Sequence, residues 1–442
     1  MRDQEPAPMD AERRLSTREA AELLGVKPET VYAYVSRGQL SSRRVSGGRG
    51  STFDAGEVEA LARRNRRDGS GGSGSSASGS SASGSGGSGS GGSGSDSSGG
   101  GLSVRTRLTL IESDRYFFRG VDAVDLATRH TYEEVAEWLW TGRMLPGSTF
   151  TAPAGFVAVA RRAVEALPEH AAPADLLRVA TVAAATADPL RFDLSEDAVL
   201  GTARTLIPTL VAALPPKGHL RRDEGPMAHR LWTRLSMRMD PDEASLRALD
   251  AALALLVDHD LAASTLAVRV AASARAHPYA AVSAGLGVIE GPLHGAASGL
   301  AHRLLQDVLE QGDAAPVIAD ELRAGRRVPG LGHRLYPGED PRARALFALL
   351  ERIPRAEPAL LAARDIVETT ARHVPLHANV DLALAVLTVS SGMSPTAGET
   401  IFAVARTAGW IAHALEEYGE RPLRMRPSGL YAGPRPPQPL PE

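Results

Sequence analysis

The chain has 442 residues, a formal net charge of −3 and no cysteine. That length allows two or three domains. The charge excludes a polycation, so any nucleic-acid contact must come from a local patch, and the missing thiol excludes disulfides, zinc thiolates, iron–sulfur clusters and cysteine nucleophiles.

The first residues, MRDQEPAPMDAERR, carry no apolar segment of the signal-peptide kind, and no run is long enough to span a bilayer, so the chain reads as cytoplasmic. Ser16 followed by Glu19 is a capping box, opening a helix that bears Ala20, Ala21, Leu23 and Leu24 and ends at Gly25. Pro28 suits the first position of a second helix, with Val31 and Val35 on its buried face and Gly38 at its end. SSRRVSGGRGSTF reads as a hairpin with glycines at its tip, followed by a short helix from Asp54. From Val31 to Thr52 there are four arginines and no acidic residue. This segment resembles winged helix-turn-helix modules of the excisionase and MerR-like type. The resemblance implies double-stranded DNA as a partner for residues 1–68, with Thr30, Tyr32, Arg37, Arg43 and Arg44 as the DNA-facing residues. A helical protein-interaction module with a solvated basic face is the alternative. Lysine occurs only at Lys27 and Lys217, so arginine carries the positive charge throughout and basic patches weigh less as signals.

Residues 69–101 are glycine and serine apart from Ala77, Ala82 and Asp96. Such a stretch cannot bury enough apolar surface to offset its ordering entropy and reads as a disordered linker. Its r.m.s. span is about 30 Å, with a reach of about 110 Å at full stretch.

Residues 102–442 read as almost wholly helical. The apolar spacing recurs in AGFVAVARRAVEAL, EASLRALDAALALLVDHD, LAASTLAVRVAASARA and AGETIFAVARTAGWIAHALEEYG, with GPLHG, VPGLGH, YPGEDP and SGMSP as breaks. No alternating strand, phosphate loop or dinucleotide fingerprint stands out. His259, His294, His333 and Asp381 each fall at or beside a predicted helix end. A histidine held at a helix N-terminus is biased towards its neutral form by the partial positive charge there, and the small residues around His294 in GPLHGAASG leave room for a ligand.

GPLHG, GHRLYPGEDPRA and NVD, in that order in a helical chain, resemble the signature segments of the citrate synthase family. LIESDRYFFRGVDAVDLATRHTYEEVAEWLWTGRMLP, DHDLAASTLAVRV, ARTAGWIAHALEE and RPSGLYAG extend the likeness collinearly from residue 102 to about residue 433. The resemblance implies an all-α fold of a large and a small domain, the small one spanning roughly residues 298–395, preceded by the winged module and linker. It implies an acyltransferase that condenses acetyl-CoA with oxaloacetate to citrate, an entry step of the tricarboxylic acid cycle, without a permanently bound cofactor or metal. Position by position, His294 would donate to the thioester carbonyl, Asp381 would take the methyl proton and His333 would hydrogen-bond and protonate the ketone. His259, Arg342 and Arg406 would hold the oxaloacetate carboxylates, Arg426 would do so from the partner subunit of a homodimer, and Val328, Pro329, Gly330, Leu331 and Gly332 would line the CoA site. His277, His302, His373, His377 and His413 read as ordinary surface or packing residues.

The surroundings depart from the family pattern. Ser298 stands where asparagine is usual, Ala378 where proline precedes NVD, LALAV where an aromatic-Ser-Gly run follows it, and Pro337 where bacterial relatives carry lysine. These changes touch CoA affinity and substrate choice more than reaction type. Three alternatives stay open: 2-methylcitrate synthesis from propionyl-CoA, citryl-CoA cleavage in the reverse direction, and a transcriptional regulator whose synthase-like body only senses a metabolite. Against the sensor stand the proton-abstracting Asp381 and a linker too flexible to transmit a rigid-body change.

Overall fold

The computed structural model describes residues 14–24, 26, 31, 34, 40–44, 51–68, 104–219, 223–238, 240–291, 297–428 and 430–438. The chain divides into two compact units, Met1–Gly99 and Gly100–Glu442.

In the first unit Ser16 and Glu19 form the expected capping box: the Ser16 N–H donates to Glu19 Oε2 (2.7 Å), and the Glu19 N–H donates to Ser16 Oγ (3.3 Å). It opens the helix Thr17–Leu24. Strands Ser42–Arg44 and Ser51–Asp54 pair antiparallel with Arg44 opposite Ser51, as the predicted hairpin requires. Arg14–Ser16 adds a third, unpredicted strand on the other side of Ser51–Asp54; three residues are too few to show a period of two. Asp54 caps the helix Ala55–Asp68 by accepting from the Glu57 N–H at 3.1 Å. Leu15, Ala20, Leu24, Val31, Leu40, Phe53, Val58 and Leu61 form one small core. Of the predicted second helix, the described residues are Val31, wholly buried as its spacing suggested, and the half-buried Tyr34. Thr30, Tyr32, Arg37 and the linker lie outside the described residues, and of Arg43 and Arg44 the backbone alone is described.

The second unit is a helical body, as its periodicity predicted. One correction applies: Thr109–Ile111, Tyr116–Phe118 and Val121–Asp122 form a three-stranded antiparallel sheet, again of strands too short for a pattern to show. Tyr116 and Phe118 turn inward and meet edge to face, ring centroids 5.4 Å apart. The helix Ala397–Tyr418 is the body's axis: 17 of its 22 residues are buried, so it is an interior helix rather than an amphipathic surface one. Glu243–Leu256, Ala263–Ser273 and Pro278–Ile289 pack around it. A second group, Ala297–Gln311, Ala314–Arg323, Pro341–Leu350, Glu357–Ala371 and Val380–Ser390, packs together largely on itself, with Ala297–Gln311 against Val380–Ser390 as its main contact. The candidate site residues come from both groups.

Candidate active site

The helix Glu243–Leu256 stops short of Asp258 and His259, and the next begins at Ala263, so both residues sit in a tight connection. His259 is buried, and its Nε2 lies 2.8 Å from the Tyr336 hydroxyl. Burial first, then the nearby Arg342, Arg406 and His333, push its pKa well below the ordinary histidine value, so the ring is neutral. Arg406 enters from the axial helix. Its Nε donates to the Leu256 carbonyl (2.9 Å), and its guanidinium lies over the Phe402 ring. Burial lowers its pKa to about 10 and Arg342 adds to this, while Asp258 opposes; the side chain keeps its charge at neutral pH.

The other side of the pocket is made by two loops clamped together. The Asn379 N–H donates to the Gly330 carbonyl (2.9 Å), the Gly332 N–H to the His377 carbonyl (2.7 Å), and the Asn379 side chain to the Gly332 carbonyl (2.9 Å). Gly330 has φ +81°, and a Cβ there would sit 2.8 Å from the Leu382 Cβ, so both its conformation and its contact demand glycine. The clamp brings His333 beside the turn that starts the helix Val380–Ser390, with Asp381 as its second residue and Asn379 as its cap.

Asp340 ties the same two loops again. Its carboxylate accepts from Arg342 Nε (2.9 Å), Arg342 Nη2 (2.7 Å) and the Arg342 N–H (3.0 Å), and across the clamp from the Val380 N–H (3.0 Å). Burial would raise its pKa, but Arg342 holds the carboxyl below the usual range. Burial likewise works against the Arg342 charge, and Asp340 more than compensates.

His333, Tyr336 and His259 form one aromatic cluster, with centroids 5.3 Å apart for His259–His333 and 4.9 Å for His333–Tyr336. Arg342 lies over Tyr336. Burial lowers the His333 pKa to about 4, with Arg342 adding to it against Asp340. The Leu335 N–H donates to His333 Nδ1 (3.1 Å), which leaves the ring proton on Nε2. Asp381 is half-buried; burial pushes its pKa up to about 6, Arg342 pulling it down and Asp340 raising it further.

A cavity of about 600 Å³ opens from this cluster. Ile318, Leu322, Val328, Leu331 and Val374 make it apolar, and Arg326, Arg327 and Arg334 supply cations. A second cavity, about 530 Å³, is lined by Arg161, Asp223 and Arg230 and shares no residue with the first. Its charges answer one another, since Asp223 binds both Arg161 (2.6 Å) and Arg234, so the chemistry belongs to the first.

Thus His259, His333, Arg342, Arg406 and Asp381 converge, with Val328, Leu331 and Gly332 lining the cavity beside them; Pro329 and Gly330 do not line it. His294 lies outside the described residues. Arg426 is exposed on the C-terminal segment, its N–H donating to the Leu423 carbonyl at 3.1 Å. One expectation is corrected: His259 and His333 are neutral through burial and neighbouring arginines, not through helix N-termini. Sequence reading missed Tyr336, Asp340 and Asp258. Only Asp340 left a local signal, as an aspartate before proline at a helix start.

Residues 99–428 match the family model described as citrate synthase, C-terminal domain, and residues 14–66 match a helix-turn-helix domain. The chain is 37% identical over 205 residues to putative citrate synthase 2 of Mycobacterium tuberculosis, a match that spans 45% of this chain and 55%, about half, of that protein. It is 31% identical over 362 residues to citrate synthase of Haloferax volcanii, covering 76% of this chain and 94% of the other. The crystal structure of citrate synthase from Thermotoga maritima superposes with a TM-score of 0.61 at 25% identity, covering 77% of this chain and 96% of that one.

Proposed function

The chain belongs to the citrate synthase family, and we propose that its body condenses an acyl-CoA, in the simplest case acetyl-CoA, with oxaloacetate and water to give citrate and free CoA. The observation that carries this reading is the meeting of a carboxylate poised near neutrality with a neutral imidazole and two buried arginines at one end of an apolar cavity. A thioester α-proton is too weakly acidic for a carboxylate alone. Its removal needs a base of matched pKa and a donor on the carbonyl where charge develops.

Asp381 takes the methyl proton while His294 donates to the thioester oxygen. The resulting carbon attacks the ketone of oxaloacetate, and His333, its proton fixed on Nε2, donates to that oxygen as the new bond forms. Water then cleaves the thioester and releases CoA. Arg342 has two nitrogens engaged by Asp340, which leaves Nη1 for a substrate carboxylate. Arg406 and His259 serve the same dianion, and planar guanidinium forks suit that task. Arg426 would complete the set across a homodimer. The loop 328–332 and the cavity beyond it suit CoA: apolar walls for its pantetheine arm, with Arg327 and Arg334 for its phosphates, Arg326 being paired with Glu321. No metal and no resident cofactor enters this scheme.

The N-terminal unit we assign to double-stranded DNA, with Thr30, Tyr32, Arg37, Arg43 and Arg44 as the contacting residues and residues 69–101 as a tether. The tether would join two heads through a dimer without transmitting ligand binding. Oxaloacetate should therefore leave the DNA affinity, read by fluorescence anisotropy, unchanged.

The deciding assay is thiol release from acetyl-CoA and from propionyl-CoA with oxaloacetate, wild type against Asp381→Asn. Turnover of acetyl-CoA sustains the reading, and preference for propionyl-CoA makes the product 2-methylcitrate. Turnover of neither by folded wild-type protein overturns the condensing reading and favours the metabolite sensor. The rate should fall below about pH 6 as Asp381 takes up its proton.

A further inference from the structure

Behind Arg406 lies a buried polar network that the proposed reaction does not use. The axial helix turns Arg406, Gly409, Trp410 and His413 towards residues 256–264, the i, i+3, i+4, i+7 spacing of one helical face. Arg406 Nε donates to the Leu256 carbonyl and Trp410 Nε1 to Ser264 Oγ (3.3 Å). Gly409 lies so close that a Cβ would fall 2.2 Å from the Val257 carbonyl oxygen and 3.0 Å from Asp258 Oδ1. His413 Nε2 is 3.2 Å from Asp258 Oδ1.

The tautomer of His413 follows from its other nitrogen. Arg269 Nη1 stands 2.8 Å from Nδ1, and a guanidinium can only donate, so Nδ1 is the acceptor and Nε2 carries the proton. His413 therefore donates to Asp258 through Nε2. The other carboxylate oxygen accepts from the Thr109 hydroxyl. Both direct partners of Asp258 thus donate to it, one to each oxygen, and fix the orientation of the carboxylate. Asp258 is wholly buried two residues beyond the Leu256 carbonyl that accepts from Arg406 and packs against Gly409 one turn along the same helix, so its charge favours the Arg406 cation, while Arg342 acts on it with the opposite sign. Two buried cations that wait for a dianion repel each other, and Asp258 is the fixed charge that opposes this on the Arg406 side. Arg269 is locked in turn by Glu416 (2.7 Å) and Glu417 (3.3 Å), and Glu416 accepts from the Arg107 N–H (2.8 Å), so the assembly cannot easily shift.

We propose that Asp258, oriented by His413 and Thr109, is a positioning residue that holds Arg406 ready for an oxaloacetate carboxylate. This rests on the reading of the body given above. The test measures the calorimetric affinity for oxaloacetate, both KM values and kcat on the full chain. His413→Leu should weaken oxaloacetate binding and raise its KM at least about 10-fold, with acyl-CoA KM and kcat within about 2-fold. His413→Gln, whose amide N–H can take the place of Nε2–H, should restore most of the affinity. Thr109→Val, which keeps the side-chain volume, should cost about 3-fold and carries the test if His413→Leu does not fold. Equal impairment in the Gln and Leu variants overturns the proposal. So does a parallel rise of both KM values, or an unchanged oxaloacetate affinity in Thr109→Val and His413→Leu. If the wild type binds oxaloacetate without turnover, the condensing reading falls while the affinity comparison still judges Asp258; if it does not bind oxaloacetate, both fall.

Discussion

His259 and Arg406 on one side of the pocket, and His333 and Asp381 on the other, are held by different means. The first pair is buried and backed by a helix that is interior along most of its length, with charges arranged three residues deep. The second pair sits half-exposed, His333 on a loop and Asp381 in the first turn of a helix, placed by main-chain hydrogen bonds and by one carboxylate, Asp340. The side that would receive a small, highly charged acid is prearranged by fixed charge. The other side opens into a cavity suited to a long, largely apolar thioester and is prearranged mainly by backbone, with His333 and Arg342 reaching from it to the acid in the proposed reaction.

The sharpest way to break this contrast is Asp381→Asn. Loss of the base should lower kcat by about 10³-fold while oxaloacetate affinity changes little, because in the proposed reaction Asp381 serves the thioester and not the oxaloacetate carboxylates. A calorimetric loss of oxaloacetate binding comparable to the rate loss would show that the two sides are one unit. Next comes Asp340→Ala. It leaves Arg342 buried without its partner and frees Val380, and should cost about 3–5 kcal/mol of folding stability in urea titrations. A loss under about 1 kcal/mol would mean that the loops are held by the main-chain clamp alone.

The buried side also carries titrating groups away from the pocket. Burial pushes Glu133 up to about 7, Asp250 adding to it, and its Oε2 has no hydrogen-bond partner. The native state therefore holds this proton more tightly than the unfolded chain. Its stabilisation is complete below about pH 4.5 and is lost as pH rises through about 7. Glu133→Gln should gain on the wild type across that interval by roughly 2 kcal/mol, measured as the difference between urea midpoints at the two ends. A constant difference would contradict the burial account. The smallest effect is expected at the open cavity: Arg334→Ala should raise acyl-CoA KM by about 3-fold at low salt and less at high salt, as an exposed charge does. Insensitivity to salt would remove Arg334 from the CoA-binding set.

Much of this was legible in the sequence because it is local. The helix Ala397–Tyr418 follows from its apolar run, the capping box at Ser16 from residues three apart, and the candidate catalytic residues from short segments between helices. What stayed hidden depends on contacts between distant segments. Tyr336 meets His259 across 77 positions, Thr109 meets Asp258 across 149, and His413, which read as a packing residue, meets Asp258 across 155. The neutral state of His333 was expected from a helix end, yet it comes from burial and from Arg342. The three-residue strands were hidden for a simpler reason, being shorter than the pattern that would reveal them.

The double fastening of residues 330–332 to 377–379, with Asp340 stapled to Val380, has a mechanical corollary. His333 and Asp381 must travel together in any opening of the cleft, as parts of one rigid lever. The span that changes is the one from His333 to His259, whose rings now stand 5.3 Å apart, so breathing of the cleft would draw apart the two imidazoles proposed to hold oxaloacetate while leaving His333 and Asp381 in register.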